Sequence, residues 1–312
     1  METTLTRAYD IIAREAESKW DETVPASELS FNSFNSIQIA KGLWTPVLPT
    51  AQTLIASRLH IPIEYLRRCP TELQRENLNY WLSTLEDRPM FLRHNDRGVR
   101  ALFSDRYKPI NHIDIMNKLR NKLYPDSKVE MHHTDQILSI NVLEAQSQSF
   151  FVDNSTTILP GYNFTNSEVG TSSYQTAVFF RRLECTNGMI VTAETDYAIR
   201  HVKLHALENF DESMDVVRKS FFNRKQLIST ATARKVQDPL STIQSLARQF
   251  GHTEAEASMI YDTYLAEPNT AIWGTMWGVI QAFTATAKNP CLTIDQAAAL
   301  QRTGGAILEL LK

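Results

Sequence analysis

Residues 89–107 read PMFLRHNDRGVRALFSDRY, and this stretch decides which kind of fold the chain adopts. Residues 91–93 and 99–103 have the composition of β-strands, and residues 95–98 between them are turn formers. The stretch therefore predicts a β-hairpin. Because short turns join antiparallel strands, we expect an antiparallel sheet rather than a doubly wound parallel one.

The sequence after the hairpin predicts one helix and then further strands. The helix is expected at residues 112–123, where Ile113, Met116 and Leu119 recur at the spacing of a buried helix face. Residues 146–157 are polar and predict a loop. The remaining strands are expected at residues 128–133, 137–144, 161–168, 173–182 and 189–192.

Helical patterns lie on both sides of this β region. Residues 21–50 are rich in Pro, Ser and Asn and predict a loop with one short strand at residues 37–40. Helices are expected before the hairpin at residues 5–20, 50–60, 62–67 and 71–85. After the sheet, they are expected at residues 194–235, 242–250, 255–266, 273–287 and 293–311.

These patterns predict an α+β fold, with a central antiparallel sheet between a helical N-terminal region and a helical C-terminal region. We divide the chain into three parts. Residues 1–48 form an N-terminal helix and loop. Residues 49–240 form a core with a helical hairpin, the sheet and a long helix. Residues 241–312 form a C-terminal helical region.

Composition excludes several classes of protein. The chain has 32 Lys and Arg against 35 Asp and Glu, so no overall positive field attracts nucleic acid or an anionic membrane. No apolar run reaches the roughly 18 residues of a membrane span, and residues 1–20 are too charged for a signal peptide. We therefore expect a soluble protein of the cytoplasm. Cys69, Cys185 and Cys291 are too far apart for a zinc finger or a disulfide framework.

Four short stretches resemble one known family. They are LRRCPTELQRENLNYW at residues 66–81, VRALFSDRY at 99–107, NSEVG at 166–170 and RRLECTNG at 181–188. In this order they are similar to the phage- and plasmid-associated family called domain of unknown function 932, from about residue 46 to the C-terminus. The resemblance implies an origin in a bacterial mobile element. It implies no reaction, because the family has none established.

The first candidate site is a basic tract around the hairpin. Residues 88–128 contain ten Lys or Arg against four Asp or Glu, whereas residues 129–177 contain no Lys or Arg. The cations could follow a phosphodiester backbone while Phe103 and Tyr107 stack on bases. Alternatively, the arginines form the solvated face of a sheet and the two aromatic rings lie in the core. The tract's candidate binding residues are Arg93, Arg97, Arg100, Arg106, Tyr107 and Lys108.

The second candidate site is the long helix after the sheet. Residues 216–236 carry six cations and no carboxylate, which is unusual in a chain that is acidic overall. If this helix flanks the hairpin, the two tracts form one anion-binding surface. Alternatively, the helix has a solvated face or a subunit contact. The candidate binding residues here are Arg218, Lys219, Arg224 and Lys225, followed by Arg234 and Lys235.

Metal and nucleotide sites are weakly supported. His201 and His205 are four residues apart on an expected helix, but no third ligand is evident. His132 and His133 lie on opposite faces of a strand, so only one of them could join. The fingerprints GxxxxGKS and GxGxxG do not occur in the sequence. No metal and no cofactor are therefore expected.

The NSEVG and CTNG stretches allow a catalytic interpretation. Ser167 or Cys185 could act as a nucleophile beside Glu168, although no paired base is evident. A structural turn is the alternative, because Gly170, Asn187 and Gly188 suit positive φ.

A stripe of large apolar residues recurs at helical spacing near the C-terminus, formed by Trp273, Trp277, Ile280 and Phe283. The stripe indicates a core helix or the seam of a homo-oligomer.

Together the tracts favour a non-enzymatic protein, encoded by a phage or plasmid, that binds nucleic acid. We expect it to bind single strands, to serve replication or recombination, for example by strand annealing, and to form a homo-oligomer. Two alternatives stay open. One is an enzyme that acts on a nucleotide or nucleic acid through residues 166–170 and 181–188. The other is a structural or counter-defence protein that binds another protein.

Overall fold

The computed structural model describes residues 2–145, 148–152, 156–183, 188–191, 197–199, 201 and 207–312. It is an α+β fold with antiparallel sheets and helices at both ends, which confirms the predicted class. The division at residues 48 and 240 stays a prediction. Within the described residues, no helix combines the length and the hydropathy needed to cross a bilayer.

The larger sheet has eight described strands, and every pairing in it is antiparallel. Its order is β1-β8-β9-β11-β12-β13, while β10 pairs with β11 and β14 pairs with β12. Arg181 of β12 reaches Glu130 of β8 at 3.1 Å, although two strands lie between them, so the sheet curls strongly. Its strands are β1 (Glu2–Thr4), β8 (Lys128–His133), β9 (Leu138–Leu143), β10 (Phe150–Phe151), β11 (Thr157–Asn166), β12 (Tyr174–Arg182), β13 (Gly188–Val191) and β14 (Tyr197–Ile199).

The predicted hairpin belongs to a separate sheet. It forms β6 and β7, which pair from Met90↔Ser104 to Asn95↔Gly98 with a register shift between Arg93 and His94, and β2 lies beside β6. A third sheet has the order β3-β4-β5. The strands of these two sheets are β2 (Trp20–Pro25), β3 (Leu29–Ser33), β4 (Ser36–Ile39), β5 (Trp44–Pro46), β6 (Pro89–Asn95) and β7 (Gly98–Ser104).

Ten described helices surround the sheets, and their ends follow ordinary capping chemistry. Asn111 and Asp114 form a capping box at the start of α5, and Thr253 with Glu256 forms another at the start of α8. The helices are α1 (Leu5–Glu17), α2 (Pro49–Arg58), α3 (Ile63–Arg68), α4 (Thr71–Ser83), α5 (His112–Arg120), α6 (Phe210–Ala233), α7 (Pro239–Gln249), α8 (Glu254–Leu265), α9 (Met276–Thr286) and α10 (Ile294–Glu309).

Two large hydrophobic cores form on the two sides of the hairpin. The larger core packs α1, α5 and the C-terminal helices against the eight-stranded sheet. The smaller core joins α2 to α4 with the two small sheets and contains residues from Ala26 to Leu102. The apolar hairpin residues Met90, Leu92, Val99 and Leu102 belong to the smaller core.

Two sequence predictions about local structure were wrong. Residues 21–50 hold four strands rather than one, because pairing with β6 and among β3, β4 and β5 stabilises segments too short to show a clear period. The long helix begins at Phe210 and not near residue 194, since Tyr197–Ile199 pairs with β12 instead. The edge of β12 supplied backbone hydrogen-bond partners for residues 197–199, and this pairing outweighed their helical spacing.

The tryptophan stripe is mainly core. Trp277, Ile280 and Phe283 of α9 are fully buried, whereas Trp273 lies before the helix and is 43% exposed. The first of the two interpretations therefore accounts for three of the four residues.

Candidate nucleic-acid interface

Two of the arginines predicted to contact nucleic acid are buried. Arg93 is 3% exposed and Arg100 is 5% exposed, although alternation on a hairpin predicted a solvated face for them. The reason is tertiary, because Asp21, Asn111 and Glu168, from other parts of the chain, bond to these side chains. Arg93 and Arg100 are corrected from surface ligands to interior ion pairs.

Glu168 is the centre of the interior ion pairs. Its Oε2 lies 2.9 Å from Lys19 Nζ and 2.9 Å from Arg100 Nη2. Its Oε1 accepts a hydrogen bond of 2.9 Å from the backbone amide of His112, in the first turn of α5. The carboxylate, between β11 and β12, thus joins the segment after α1, strand β7 and the start of α5, which come from distant parts of the chain.

Arg93 forms the second part of this network. Its Nε lies 2.9 Å from Asp21 Oδ1 and its Nη2 lies 3.2 Å from Asp21 Oδ2, so the two groups face each other in a fork geometry. The guanidinium also donates to the carbonyl of Glu168 at 3.0 Å and to Asn111 Oδ1. With these partners, Arg93 is occupied inside the protein.

A chain of neutral hydrogen bonds completes the network. The Tyr107 hydroxyl lies 3.0 Å from His201 Nδ1 and 3.1 Å from the Glu168 carbonyl. His201 Nε2 lies 2.9 Å from Asn166 Oδ1, and His112 Nε2 lies 3.2 Å from the Asn166 carbonyl. Because both Nε2 atoms face oxygens of Asn166, each neutral imidazole donates from Nε2, and the single hydroxyl hydrogen of Tyr107 serves either His201 Nδ1 or the Glu168 carbonyl.

Burial and charge fix the protonation of this network. Burial by itself raises the pKa of Glu168, but contacts with His112, Lys19 and Arg100 outweigh it and hold that pKa below its usual range. Burial lowers the pKa of His112 to about 3 and that of His201 to about 4. At neutral pH, Glu168 is therefore charged and both histidines are neutral.

The predicted binding residues of α6 also divide into one buried arginine and three exposed cations. Arg224 is 3% exposed, and its Nε lies 2.9 Å from Glu309 Oε1, so it is corrected to an interior ion pair. Arg218 is exposed, and its Nη2 lies 2.7 Å from Glu144 Oε1. Lys219 is exposed, and exposed Lys225 lies over the ring of Phe150.

Three cations of the hairpin tract stay near the surface. Arg97 is exposed and contacts Asp135 at 3.0 Å. Arg106 is exposed and Lys108 is half-buried, and neither side chain has an ion pair within the described part of the chain. Arg97 lies in the turn between β6 and β7, and Arg106 and Lys108 follow β7. In contrast, α6 packs on the eight-stranded sheet. The two tracts thus stand on different layers of the fold.

An open cavity of about 410 Å³ lies beside the end of β7. Phe103 and Tyr107 line it, and their rings are stacked with centroids 3.8 Å apart and planes at 3°. Tyr107 is 8% exposed and Phe103 is half-buried, so Phe103 is the more accessible ring. The rest of the lining comes from the end of α2 and from the end of β7, namely Leu54, Ser57, Arg58, His60, Leu102 and Ser104. We call this the aromatic cavity.

A family model described as a domain of unknown function, DUF932, matches residues 100–303. The chain belongs to the DUF932 family. The match includes Arg100, Tyr107, His112 and Glu168, but it begins after Lys19. No curated protein and no solved structure matches the chain significantly.

The catalytic interpretation of the DUF932 stretch NSEVG can be compared with its geometry. Ser167 is fully buried, and its Oγ accepts hydrogen bonds from the amides of Val169 at 3.2 Å and Thr171 at 3.1 Å. Gly170 has φ +77°, which suits glycine. These contacts are those of a packed turn. Cys185 and Asn187, the other residues of the catalytic interpretation, lie outside the described residues.

Of the two histidines predicted as metal ligands in this DUF932 protein, the structure describes His201. His205 lies outside the described residues. Within the described ranges, no group of three His, Cys, Asp or Glu side chains is placed to hold a metal ion. His201, the described member of the pair, is occupied by Tyr107 and Asn166.

Sequence reasoning missed several residues of the interior network and of the aromatic cavity. Lys19 and Asp21 were not identified, because they are 149 and 72 residues from their partners Glu168 and Arg93. Arg58 and His60, which line the aromatic cavity, were also missed. Arg58 is the last residue of α2 and His60 follows it with φ +56°, and only folding places them beside Phe103.

Proposed function

We propose that this DUF932 protein binds nucleic acid, preferentially single-stranded, and that a base enters the aromatic cavity. The observation that carries the proposal is the combination of an accessible aromatic ring, Phe103, with the cationic side chain of Arg58 in one open cavity. Stacking on aromatic side chains is available to every base, but only where the bases are not already paired.

The geometry of Phe103 suits a stacking platform. Tyr107 supports one face of the ring, and its hydroxyl is in turn held by His201 and Glu168. A Cβ atom at Gly170 would lie 2.7 Å from Phe103 Cε1, so the turn fits closely against the ring edge. A ring held from these sides loses little conformational entropy when a base stacks on it.

Cations are available for the phosphates. Arg58 lines the cavity, and its Nε is buried without a partner in the described part of the chain. Arg106 and Lys108 flank Tyr107 in sequence, and their side chains have no carboxylate partner among the described residues. Because the whole chain is slightly acidic, such local charge is the electrostatic attraction it can offer.

The proposed interface therefore uses fewer of the predicted residues than the sequence suggested. It keeps Arg106, Tyr107 and Lys108, adds Arg58 and uses Phe103 as the platform. Tyr107 acts as support for the ring rather than as a direct ligand. Arg93, Arg100 and Arg224 act inside the protein.

The biological setting is part of the proposal. We place the protein in the cytoplasm of a bacterial host, encoded by a phage or plasmid, where it serves replication or recombination as a homo-oligomer. Annealing of complementary strands is the activity that fits a sequence-tolerant stacking site, because stacking holds a strand without reading its bases.

The proposal is tested by fluorescence anisotropy with a labelled single-stranded oligonucleotide and its duplex, across a series of salt concentrations. We expect tighter binding of the single strand and a linear fall of log affinity with log salt. Phe103→Leu should weaken binding about tenfold, since stacking contributes about 1–3 kcal/mol per base.

The matched control is Phe151→Leu, because Phe151 is a 76% exposed ring outside the cavity. This variant should bind as the wild type does, and circular dichroism should show both variants folded. The proposal is overturned if the wild type does not bind at low salt, or if the two variants bind equally well.

A further inference from the structure

A smaller cavity, of about 220 Å³, lies beside the aromatic cavity. Arg58 and His60 line both, so these two residues form the wall that the cavities share. The other lining residues include Trp81 from the end of α4 and Arg88 from the segment between α4 and β6. We call it the tryptophan cavity.

Trp81 presents a large aromatic side chain to solvent in this cavity. It is 43% exposed. Its ring contact within the described residues is with Tyr80, and the two planes meet at 85° rather than face to face. The indole therefore has no parallel partner in the described part of the chain, and a base that stacked on it would supply one.

Among the described residues, the two cavities are lined by cations and by no carboxylate. Arg58 is half-buried and Arg88 is exposed, and neither forms an ion pair in the part of the chain that the structure describes. The whole chain has a formal net charge of -3, so this lining differs in sign from the average surface. An anionic strand is attracted to such a local excess of cations.

His60, in the shared wall, occupies a backbone position that favours glycine. Its amide donates to the Ser57 carbonyl at 3.2 Å. The next amide, that of Ile61, donates to the Ala56 carbonyl at 2.9 Å. These two bonds form the Schellman motif at the end of α2, in which the residue of positive φ is usually glycine.

The chain keeps a side chain at this position in spite of the backbone strain. His60 has φ +56°, in the left-handed region, and it is exposed. Strained backbone of this kind is concentrated at functional sites, where the side chain has a use that outweighs the cost. Because His60 lines both cavities, its position points to a ligand that extends from one cavity into the other.

We propose that the two cavities form one groove for two neighbouring nucleotides of a single strand. One base stacks on Phe103 in the aromatic cavity, and the next base stacks on Trp81 in the tryptophan cavity. Arg58 and His60 contact the phosphate between the two bases, and Arg88 contacts the phosphate beyond the second base. This inference rests on the proposed function and extends it, because it gives the second nucleotide a site of its own.

The test uses fluorescence anisotropy with labelled single strands that are abasic except at chosen positions. The wild type should bind a strand with two adjacent bases about tenfold more tightly than a strand with one base, because each stacked base adds to the affinity. Trp81→Leu should abolish this gain and keep the affinity for the one-base strand. Arg88→Gln should lower the slope of log affinity against log salt by about 0.7, which corresponds to one lost phosphate contact.

The chain offers a matched control for each of these variants. Trp44→Leu is the control for Trp81→Leu, since Trp44 is 47% exposed and lines neither cavity. Arg75→Gln is the control for Arg88→Gln, since Arg75 is an exposed cation of α4 outside both cavities. Both controls should keep the gain from the second base and the salt slope of the wild type.

His60→Gly separates binding from stability. Glycine relieves the positive φ, so the Tm measured by circular dichroism should not fall. The affinity for the two-base strand should nevertheless fall about threefold, because a contact to the strand is lost. Wild-type affinity in this variant would overturn the assignment of the shared wall to the strand.

Failure of this inference can be distinguished from failure of the proposed function. If the wild type gains nothing from the second base, or if Trp81→Leu keeps that gain, the groove is overturned. Weaker binding by Phe103→Leu would still support the proposed function in that case. If no strand binds at low salt, both are overturned. If Trp81→Leu does not fold, Arg88→Gln and His60→Gly decide, and wild-type behaviour of both overturns the groove.

Discussion

Glu168 and Lys19 form a salt bridge of 2.9 Å although 149 residues separate them in the chain. The Glu168 side chain is 3% exposed and that of Lys19 is 14% exposed, so water screens the pair only weakly. Arg100 shares the same carboxylate oxygen. This one carboxylate, between β11 and β12 of the larger sheet, therefore links the segment after α1 with the hairpin, and the first predictions concern it.

Glu168→Gln should destabilise the protein by about 3–5 kcal/mol, because it leaves the buried guanidinium of Arg100 without its counter-charge. Lys19 keeps a second carboxylate partner, Glu15, at 3.6 Å. Urea unfolding monitored by circular dichroism measures this change. Glu64→Gln is the control, since the Glu64–Arg67 pair is exposed and should contribute about 0–1 kcal/mol. Equal losses for the two variants would contradict a central role for Glu168.

The free energy of unfolding should fall as the pH falls from 6.5 toward 4. Burial lowers the pKa of His112 to about 3 and those of His132 and His201 to about 4. In this range the unfolded chain binds protons that the folded chain does not, so acid favours unfolding, by up to about 1.4 kcal/mol per pH unit for each histidine.

Glu168 acts in a lower range of pH. Its folded pKa is below its usual value, so its contribution is complete above the unfolded pKa of about 4.3 and is lost as the pH falls further. Urea titrations at intervals between pH 7 and 2 separate the histidine range from the Glu168 range. His112→Gln should flatten the slope between pH 6.5 and 5, whereas an unchanged slope would mean that His112 is not a buried neutral group.

Gly170→Ala should destabilise the protein more than Gly251→Ala does. Both glycines have φ +77°, so the backbone penalty is matched between them. A Cβ at Gly170 would lie 2.7 Å from Phe103 Cε1, whereas a Cβ at Gly251 would meet nothing within 4 Å. Urea unfolding gives the difference, which we expect to be about 1–3 kcal/mol.

The same pair of variants tests the stacking platform. If Phe103 must move to admit the new methyl group, Gly170→Ala should also weaken binding of the single-stranded oligonucleotide. Gly251→Ala should leave that affinity unchanged. Equal affinities for the two variants would show that the position of Phe103 does not matter for binding.

The two basic tracts should contribute unequally to oligonucleotide binding. The double variant Arg106→Gln/Lys108→Gln should lower the slope of log affinity against log salt by about 1.4, which corresponds to two lost phosphate contacts on a single strand. The matched double variant Lys219→Gln/Lys225→Gln should leave the slope near that of the wild type. Anisotropy titrations at several salt concentrations measure both, and the opposite ranking would place the interface on α6.

The hairpin shows which parts of the fold the local sequence pattern can predict. Strand composition and the Asn95 to Gly98 turn predicted β6 and β7, because these signals act between neighbouring residues. The same reasoning gave the α+β class and α5, where Asn111 and Asp114 form the capping box. It failed for Tyr197–Ile199, since that strand depends on the edge of β12, which is not near it in sequence.

The sequence by itself determined the hairpin, the mixed fold class, the family and the local excess of cations, since each is written in neighbouring residues. Only the tertiary structure decided which cations are free. The hairpin pattern allowed a solvated face for Arg93 and Arg100, yet Asp21 and Glu168 pair with them from distant segments and both side chains are buried. The physical reason is that burial and charge pairing depend on what the fold brings opposite a side chain.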